Sequence, residues 1–482
     1  MKEKSGRYAM KILPHCNRLF FLLLAAGMMT SVSALIVWNG TIVPEWPEQQ
    51  PPSLRKTTAA SDSAKGFGFY PQPRGKIYCL TMIVDFSDEP AVFTKEQIDG
   101  WLNGKDSGST SAVKESVRDY YYECSNGAVE LINDVAGYYR AKKPRSYYEG
   151  FTDYTGATQL VAEMIDHFDP EIDFSKYDND GNGSTEAISI VYAGSGKEWG
   201  KGLWPHSGNI SRKCDGVQLS RYNMSDMGKQ LTLYVFCHET GHMLFGWPDL
   251  YWFGDYCIMG NRMSDTNPQA VNDFFRADQG WIPVTDISPD DNLAFTAAHN
   301  GDGFRFVNPN EPREMFFWSV IRAKGRWSNV RGNGILLYHF DARIKGNTSG
   351  SKRTLYVVEA DGDNRLASEQ WPSPGYDTDD FFSATTADEF SATTKPPSQW
   401  GLRIYDISAA GDTMSFAVGT GVVSSRLPSS PFIVQPSGNS TMMRYDLLGR
   451  ALDGVITPDF RRREKVSGWY VSGKGVRVFY VR

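Results

Sequence analysis

The chain is poor in several features that would make its class easy to assign. It has no tract of lysines and arginines, no stacked aromatic–arginine motif, and a net charge of −6 over 482 residues. Such a chain has little to offer a nucleic-acid backbone. Its N-terminal apolar run, Leu19 to Met29, falls short of the roughly 20 residues that a membrane-spanning helix needs. No heptad or helical repeat is present. Histidine is scarce, at seven residues, so a histidine motif arising by composition alone has odds on the order of a percent. What remains is an ordinary globular chain, 41% hydrophobic and 13% aromatic, long enough for two or three domains. Aromatic residues at that level fill cores and can furnish substrate-binding surface.

Against that background, residues 238–249 read His-Glu-Thr-Gly-His-Met-Leu-Phe-Gly-Trp-Pro-Asp. His238 and His242 are one helical turn apart, so both imidazoles project from one face at metal-pinching distance. Glu239 sits beside the first of them, placed to take a proton from a water activated by zinc. Gly246 lets the chain leave the helix and Pro248 discourages a return. Asp249 then supplies a hard oxygen as third ligand. Three protein ligands with one position left open is the catalytic zinc arrangement rather than the closed structural one. Leu231, Leu233, Val235 and Phe236 make the segment apolar, as for a helix of about 230–245 buried beneath a cleft.

About ten residues beyond Asp249, Cys257-Ile258-Met259-Gly260 looks like the Met-turn that underlies the metal in metzincin-type proteases, with Met259 as its methionine. A Met-Gly pair elsewhere would be core filler. Tyr251 and Tyr256 flank this approach, and either is a candidate donor to an oxyanion.

The segment resembles the immune-inhibitor-A-like family of secreted zinc metallopeptidases. The resemblance extends to Ile83-Val84-Asp85-Phe86-Ser87-Asp88, Ser116-Val117-Arg118-Asp119-Tyr120-Tyr121, Ser125-Asn126-Gly127, Trp204-Pro205-His206 and Pro248-Asp249-Leu250-Tyr251. It continues through Tyr177 to Gly183, Gly334 to Asp341 and Glu359-Ala360-Asp361-Gly362, so it runs from about residue 76 to 418. It implies a metzincin-like α/β or α+β protease domain followed by β-rich parts, a zinc cofactor, and protein or peptide substrates. One spacing departs from the family. Glycine usually lies three residues after the second histidine, whereas Gly246 lies four after His242. One extra helical residue rotates the exit by about 100°, so a bulge or a longer last turn must absorb it. Asp255 and Asp265 are the alternative third ligands.

The N-terminus reads as a secretory signal over 1–34: Lys2, Lys4, Arg7, Lys11 and Arg18 precede the apolar run, and Ser31-Val32-Ser33-Ala34 offers small residues for cleavage. Residues 35–75, rich in Pro, Ser, Thr and Gln, read as a leader or short pro-segment. The protease domain is expected over 76–290 and a β-rich companion over 291–424, with short strands broken by Gly, Asn and Asp. The tail, 425–482, reads as a small β module and resembles the C-terminal sorting domains of type IX secretion. These features predict a secreted or surface-displayed protein with no transmembrane segment after processing and with contacts to secretion machinery.

Removing the signal leaves five cysteines, an odd number, so at least one thiol stays free or pairs between chains. A Cys237–Cys257 disulfide would tie the zinc helix to the Met-turn in oxidising surroundings. Asp178, Asp180, Asn182 and Glu186 fall at positions 1, 3, 5 and 9 of a Ca²⁺ loop, but position 12 is Ser189, which excludes a standard EF-hand. The alternative is a polar turn whose side chains bond their own backbone. His206, after Trp204-Pro205, is a candidate substrate contact or a hydrogen-bonded structural histidine. His339 and Asp341 alternate on a strand and share a face, too few ligands for a second metal. The sequence thus predicts a zinc endopeptidase with Glu239 as general base. Host or extracellular glycoproteins are candidate substrates. Two other classes remain open: a surface binding protein with a structural or inactive zinc site whose β-rich parts engage host glycoprotein or glycan, and a non-proteolytic zinc hydrolase.

Overall fold

A computed structural model describes residues 66–420, apart from 105–114, 197–199, 289–291, 345–352, 369–376 and positions 255, 263 and 364; it also describes two short strands at Ile36–Trp38 and Thr41–Val43 and five in the tail. The signal segment, most of the expected leader and Asp255 therefore lie outside the described residues.

Six strands form the first sheet: Gly75–Asp85 (β1), Val129–Arg140 (β2), Ser184–Thr185 (β3), Ile188–Tyr192 (β4), His206–Cys214 (β5) and Val217–Asp226 (β6). From Cys79 onward β1 is buried at every position, and β4 is buried throughout. A strand covered on both faces reads as a continuous apolar run, as central parallel strands do. The order is β2-β1-β4-β6-β3, all parallel, while β5 pairs antiparallel with the other side of β6 and is the outermost strand.

The covering helices are Lys95–Asn103 (α1), Val117–Cys124 (α2), Thr155–Phe168 (α3) and Tyr234–Phe245 (α4). The α1 helix opens with the Thr94–Gln97 capping box that its sequence predicts, and α2 with a second box, Ser116–Asp119. The α4 helix begins later than the expected residue 230, because the Asp265 carbonyl accepts the Leu233 amide at 2.7 Å and fixes the first turn there. Eleven of its twelve residues are buried, Val235 being the exception. That burial explains why the segment is apolar on every side.

The second sheet does not stand apart from the first. Its strands are Val284–Asp286 (β7), Gly303–Val307 (β9), Glu314–Ile321 (β10), Gly334–Asp341 (β11) and Leu355–Val358 (β12), in the order β12-β11-β10-β9-β7; Leu293–Ala298 (β8), Leu402–Tyr405 (β13) and Thr413–Thr420 (β14) form a three-stranded sheet. Strand alternation divides the side chains of β10. Met315, Phe317 and Ile321 join the core shared with α4, while Phe316, Trp318 and Val320 join a second core with Phe416 and Val418 of β14. A boundary near residue 290 therefore does not separate two cores: residues 66–420 fall in one compact unit, and 421–482 form another. The architecture is mixed α/β with several sheets. The tail unit holds one five-stranded sheet built from Phe432–Gln435, Met442–Tyr445, Ala451–Ile456, Gly468–Ser472 and Phe479–Val481. Among the described residues no helix is long and apolar enough to cross a membrane.

The leader or pro-segment expected over 35–75 is packed on the fold in its last part, residues 66–75. Asp278 accepts the Phe69 amide at 2.8 Å, and Phe67 and Phe69 pack on Phe274 and Phe340. The Cys237–Cys257 disulfide is not formed. Cys79, Cys124, Cys214, Cys237 and Cys257 are all buried free thiols, and Cys257 Sγ instead accepts the Met259 amide and the Asn272 side chain. Alkylation of the denatured, unreduced protein is therefore expected to label Cys237 and Cys257 on separate peptides. A cross-linked 237–257 peptide would contradict this arrangement.

Candidate metal centre

The α4 helix packs against β5 and β6 and carries His238, Glu239 and His242 into a nearly closed site. The two Nε2 atoms stand 3.1 Å apart. Asp249 Oδ1 lies 3.1 Å from His238 Nε2 and 3.2 Å from His242 Nε2. Each ring turns its other nitrogen to a backbone carbonyl: His238 Nδ1 to Ile258 O at 3.0 Å, and His242 Nδ1 to Trp247 O at 2.6 Å. A carbonyl only accepts, so each Nδ1 carries a proton, and each ring in its neutral form presents its Nε2 lone pair inward. Two lone pairs and a carboxylate oxygen cannot bond to one another; they call for a cation among them. Ligands about 2.0–2.2 Å from a tetrahedral zinc stand roughly 3.3–3.6 Å apart. The observed triangle is within a few tenths of an ångström of that face, so donor set and spacing fit zinc.

The extra residue before Gly246 is absorbed in the last turn of α4. Gly246 adopts φ 67°, ψ 17°, and its amide donates to both Gly241 O and His242 O. That shared bond widens the turn, and Trp247 N reaches back to Gly241 O at 3.4 Å. Trp247 is fully buried, stacked between Phe245 and Phe275 at 4.4 and 5.1 Å. Its carbonyl is thereby fixed beneath His242, and the next two residues deliver Asp249. Asp265 does not join the triangle of His238, His242 and Asp249; its side chain pairs with Arg262.

Burial, opposed by His238 and reinforced by Asp249, pushes the Glu239 carboxyl up to about 7, where a group can both take and return a proton near neutrality. The Ser207 amide of β5 donates to it. Burial also disfavours ionised Asp249; with a proton standing in for the metal on the facing rings, the charge of His242 and the charge and hydrogen bonds of both histidines hold its carboxyl well below the usual range.

Of the two tyrosines named from the sequence, Tyr251 reaches the site. Its hydroxyl bonds Asp249 and its ring lies 6.2 Å from that of His238, nearly parallel. Tyr256 is directed away, donating to Asp380 and to Asp377 O. Tyr154 belongs to the site and carries no sequence signal, being far from any motif. Burial, followed by the Glu239 and Asp249 charges, raises its hydroxyl, which leaves it protonated as a donor. His206 is spoken for: Nδ1 faces Trp204 O at 2.7 Å and Nε2 faces the Tyr222 hydroxyl at 2.8 Å. Burial lowers it to about 4, so it is neutral, with neither nitrogen left for substrate. Its ring instead supports Tyr154, 5.2 Å away.

Gly241 is a second residue that the motif alone does not single out. A Cβ there would stand 2.7 Å from Met259 Sδ and 3.2 Å from Trp247. The side chain of Met259, at 0% exposure, thus lies directly against the helix between the two histidines.

Elsewhere, Asp178, Asp180 and Glu186 bring one carboxylate oxygen each within 4.8 Å of one another. Asn182 does not join them; its amide donates to Asp180. Backbone amides of Asn182 and Gly183 bond Asp178, as in a polar turn, yet Glu186 Oε1 is buried without a partner. His339 bonds Glu314, and Asp341 pairs with Arg343, so these two hold no second metal.

No family model matches the chain. The pre-pro-metalloprotease PrtV from two strains of Vibrio cholerae serotype O1 is 30% identical over a segment covering 36% of this chain and 24% of the relative. The chain thus spans about a quarter of the length of these curated relatives, and the similarity supports a distant, partial relationship to metalloproteases.

Groups that bond a metal ligand from behind typically contribute about 10–100-fold to metal affinity. Tyr251→Phe is therefore expected to weaken zinc binding by about that factor, measured by competition with a chromophoric chelator. Unchanged affinity would remove Tyr251 from the centre.

Proposed function

We propose that the chain is a secreted zinc-dependent endopeptidase. The observation that carries this reading is the convergence of His238 Nε2, His242 Nε2 and Asp249 Oδ1 within 3.2 Å, with Glu239 beside them. Bound there, zinc would supply a Lewis acid that acidifies water and polarises a scissile carbonyl. Glu239 takes the proton of the attacking water and returns it to the departing amine. The Tyr154 hydroxyl, kept protonated, donates toward the oxygen on which charge develops, while Tyr251 keeps its hydroxyl on Asp249. Strand β5 begins beside Glu239, through Ser207, at an edge of its sheet where the short strand Ile36–Trp38 also lies against it. An extended peptide can add to such an edge by main-chain hydrogen bonds, which favours a protein substrate over a small ester or amide.

Three further assignments accompany this reading. Ca²⁺ at Asp178, Asp180 and Glu186 is supported by their proximity and by the unpartnered Glu186 oxygen. Export rests on the signal-like 1–34 segment, in keeping with the pre-pro precursor in PrtV's name. Type IX sorting rests on the sequence resemblance of the tail. A structural or inactive metal site is disfavoured because a closed site has no use for a buried carboxylate beside its ligand.

Glu239→Gln preserves volume and leaves all three ligands in place, so zinc should stay near one per chain. General-base catalysis accounts for about 10²–10⁴-fold in rate, and casein cleavage should fall by that factor. Asp249→Ala should instead release zinc, with activity partly restored by excess metal. An active Glu239→Gln protein would remove the peptidase reading.

A further inference from the structure

A group of carboxylates in the second sheet plays no part in the proposed peptidase chemistry. Glu359, at the end of β12, Asp361 in the turn that follows and Asp380 each offer one oxygen within 4.8 Å of the others. Glu359 and Asp380 are 2% and 0% exposed. Asp363 and Asp377 flank them. Arg365 bonds these two and stands 3.7 Å from Asp361, so one guanidinium faces five acids.

Proximity of acids alone would indicate only a solvated cluster, but Asp380 differs. Its Oδ2 accepts the Tyr256 hydroxyl and the Asp377 amide, while Oδ1 is buried and accepts from no described group. An ionised oxygen removed from water without a donor is costly unless a cation meets it. We propose that Glu359, Asp361 and Asp380 bind a divalent cation of the calcium class through oxygen ligands alone. Hard, flexible oxygen donors without histidine or cysteine suit Ca²⁺ over zinc. Without a cation, burial and mutual repulsion push Glu359 up to about 8 and Asp380 to about 7, which accords with a site built for a missing charge.

The site has a structural consequence for the metal centre. Tyr256 joins Asp380 to the turn at Cys257–Gly260, whose Ile258 carbonyl orients His238. A bound cation would fix Asp380, and through Tyr256 it would brace the support of the first zinc ligand. This inference is independent of the peptidase reading.

The test uses zinc-loaded, full-length protein carrying Asp178→Ala and Asp180→Ala, which removes the other acidic cluster. Millimolar CaCl₂ should raise its melting temperature by a few degrees, as ligand linkage requires. Adding Asp361→Ala, an exposed position that bonds neither Tyr256 nor the core, should abolish that shift. Adding Asp380→Asn should abolish it as well, without lowering the melting temperature in calcium-free buffer, because one unpaired buried charge is gone. Tb³⁺ bound there should show tyrosine-sensitised emission that Tyr256→Phe weakens. No calcium shift in the Asp178→Ala/Asp180→Ala protein, or a shift that survives Asp361→Ala, would overturn the proposal.

Discussion

The centre depends on two hydrogen bonds of an ordinary kind, from His238 Nδ1 to Ile258 O and from His242 Nδ1 to Trp247 O. By fixing the tautomer of each ring they force two lone pairs to face each other, and Asp249 adds a third electron-rich atom. In a folded interior that convergence is repulsive until a cation enters. A site pre-formed in this way carries a cost in the metal-free state, which the binding of a metal would return to the fold. Both carbonyls belong to loops, so the precision of the centre is set by what holds those loops.

Each loop is held by packing. Trp247 is gripped between Phe245 and Phe275, and a buried aromatic of that size is worth about 3–5 kcal/mol against truncation. The Ile258 carbonyl sits in the turn whose Met259 presses on Gly241, while Tyr256 fastens the same turn to Asp380 of the second sheet. From the far side, the Tyr121 hydroxyl holds the Cys237 carbonyl at 2.5 Å. The α4 helix is thus clamped by α2, by its own exit loop and by the second sheet, which shares its core.

The chemistry was more legible in the sequence than the packing. His238, Glu239 and His242 follow from one helical turn and could be placed without coordinates. Asp249 was harder: the extra residue before Gly246 rotates an ideal helix exit, and only the shared Gly246 amide bond shows how the turn widens to accept it. Local capping rules found α1 through Thr94 and Gln97. Long-range relations were not legible. Tyr154 reaches the site from the N-cap of α3, and Asp380 meets Glu359 across a loop, with no spacing rule linking either pair. The Cys237–Cys257 pairing failed for a related reason, since spacing along the chain does not show that Cys257 Sγ turns to the Met259 amide and Asn272. The shared core was also hidden, because alternation in β10 reveals two buried faces but not what lies against each.

The central claim is that the three facing atoms are one catalytic metal site. It is tested most directly by anomalous diffraction at the zinc edge from crystals of the full-length chain grown with zinc. The account predicts a peak about 2.0–2.2 Å from His238 Nε2, His242 Nε2 and Asp249 Oδ1, with one coordination position not filled by protein and Glu239 beside it. A peak bound by a fourth side chain, or a peak that excludes Asp249, would contradict it.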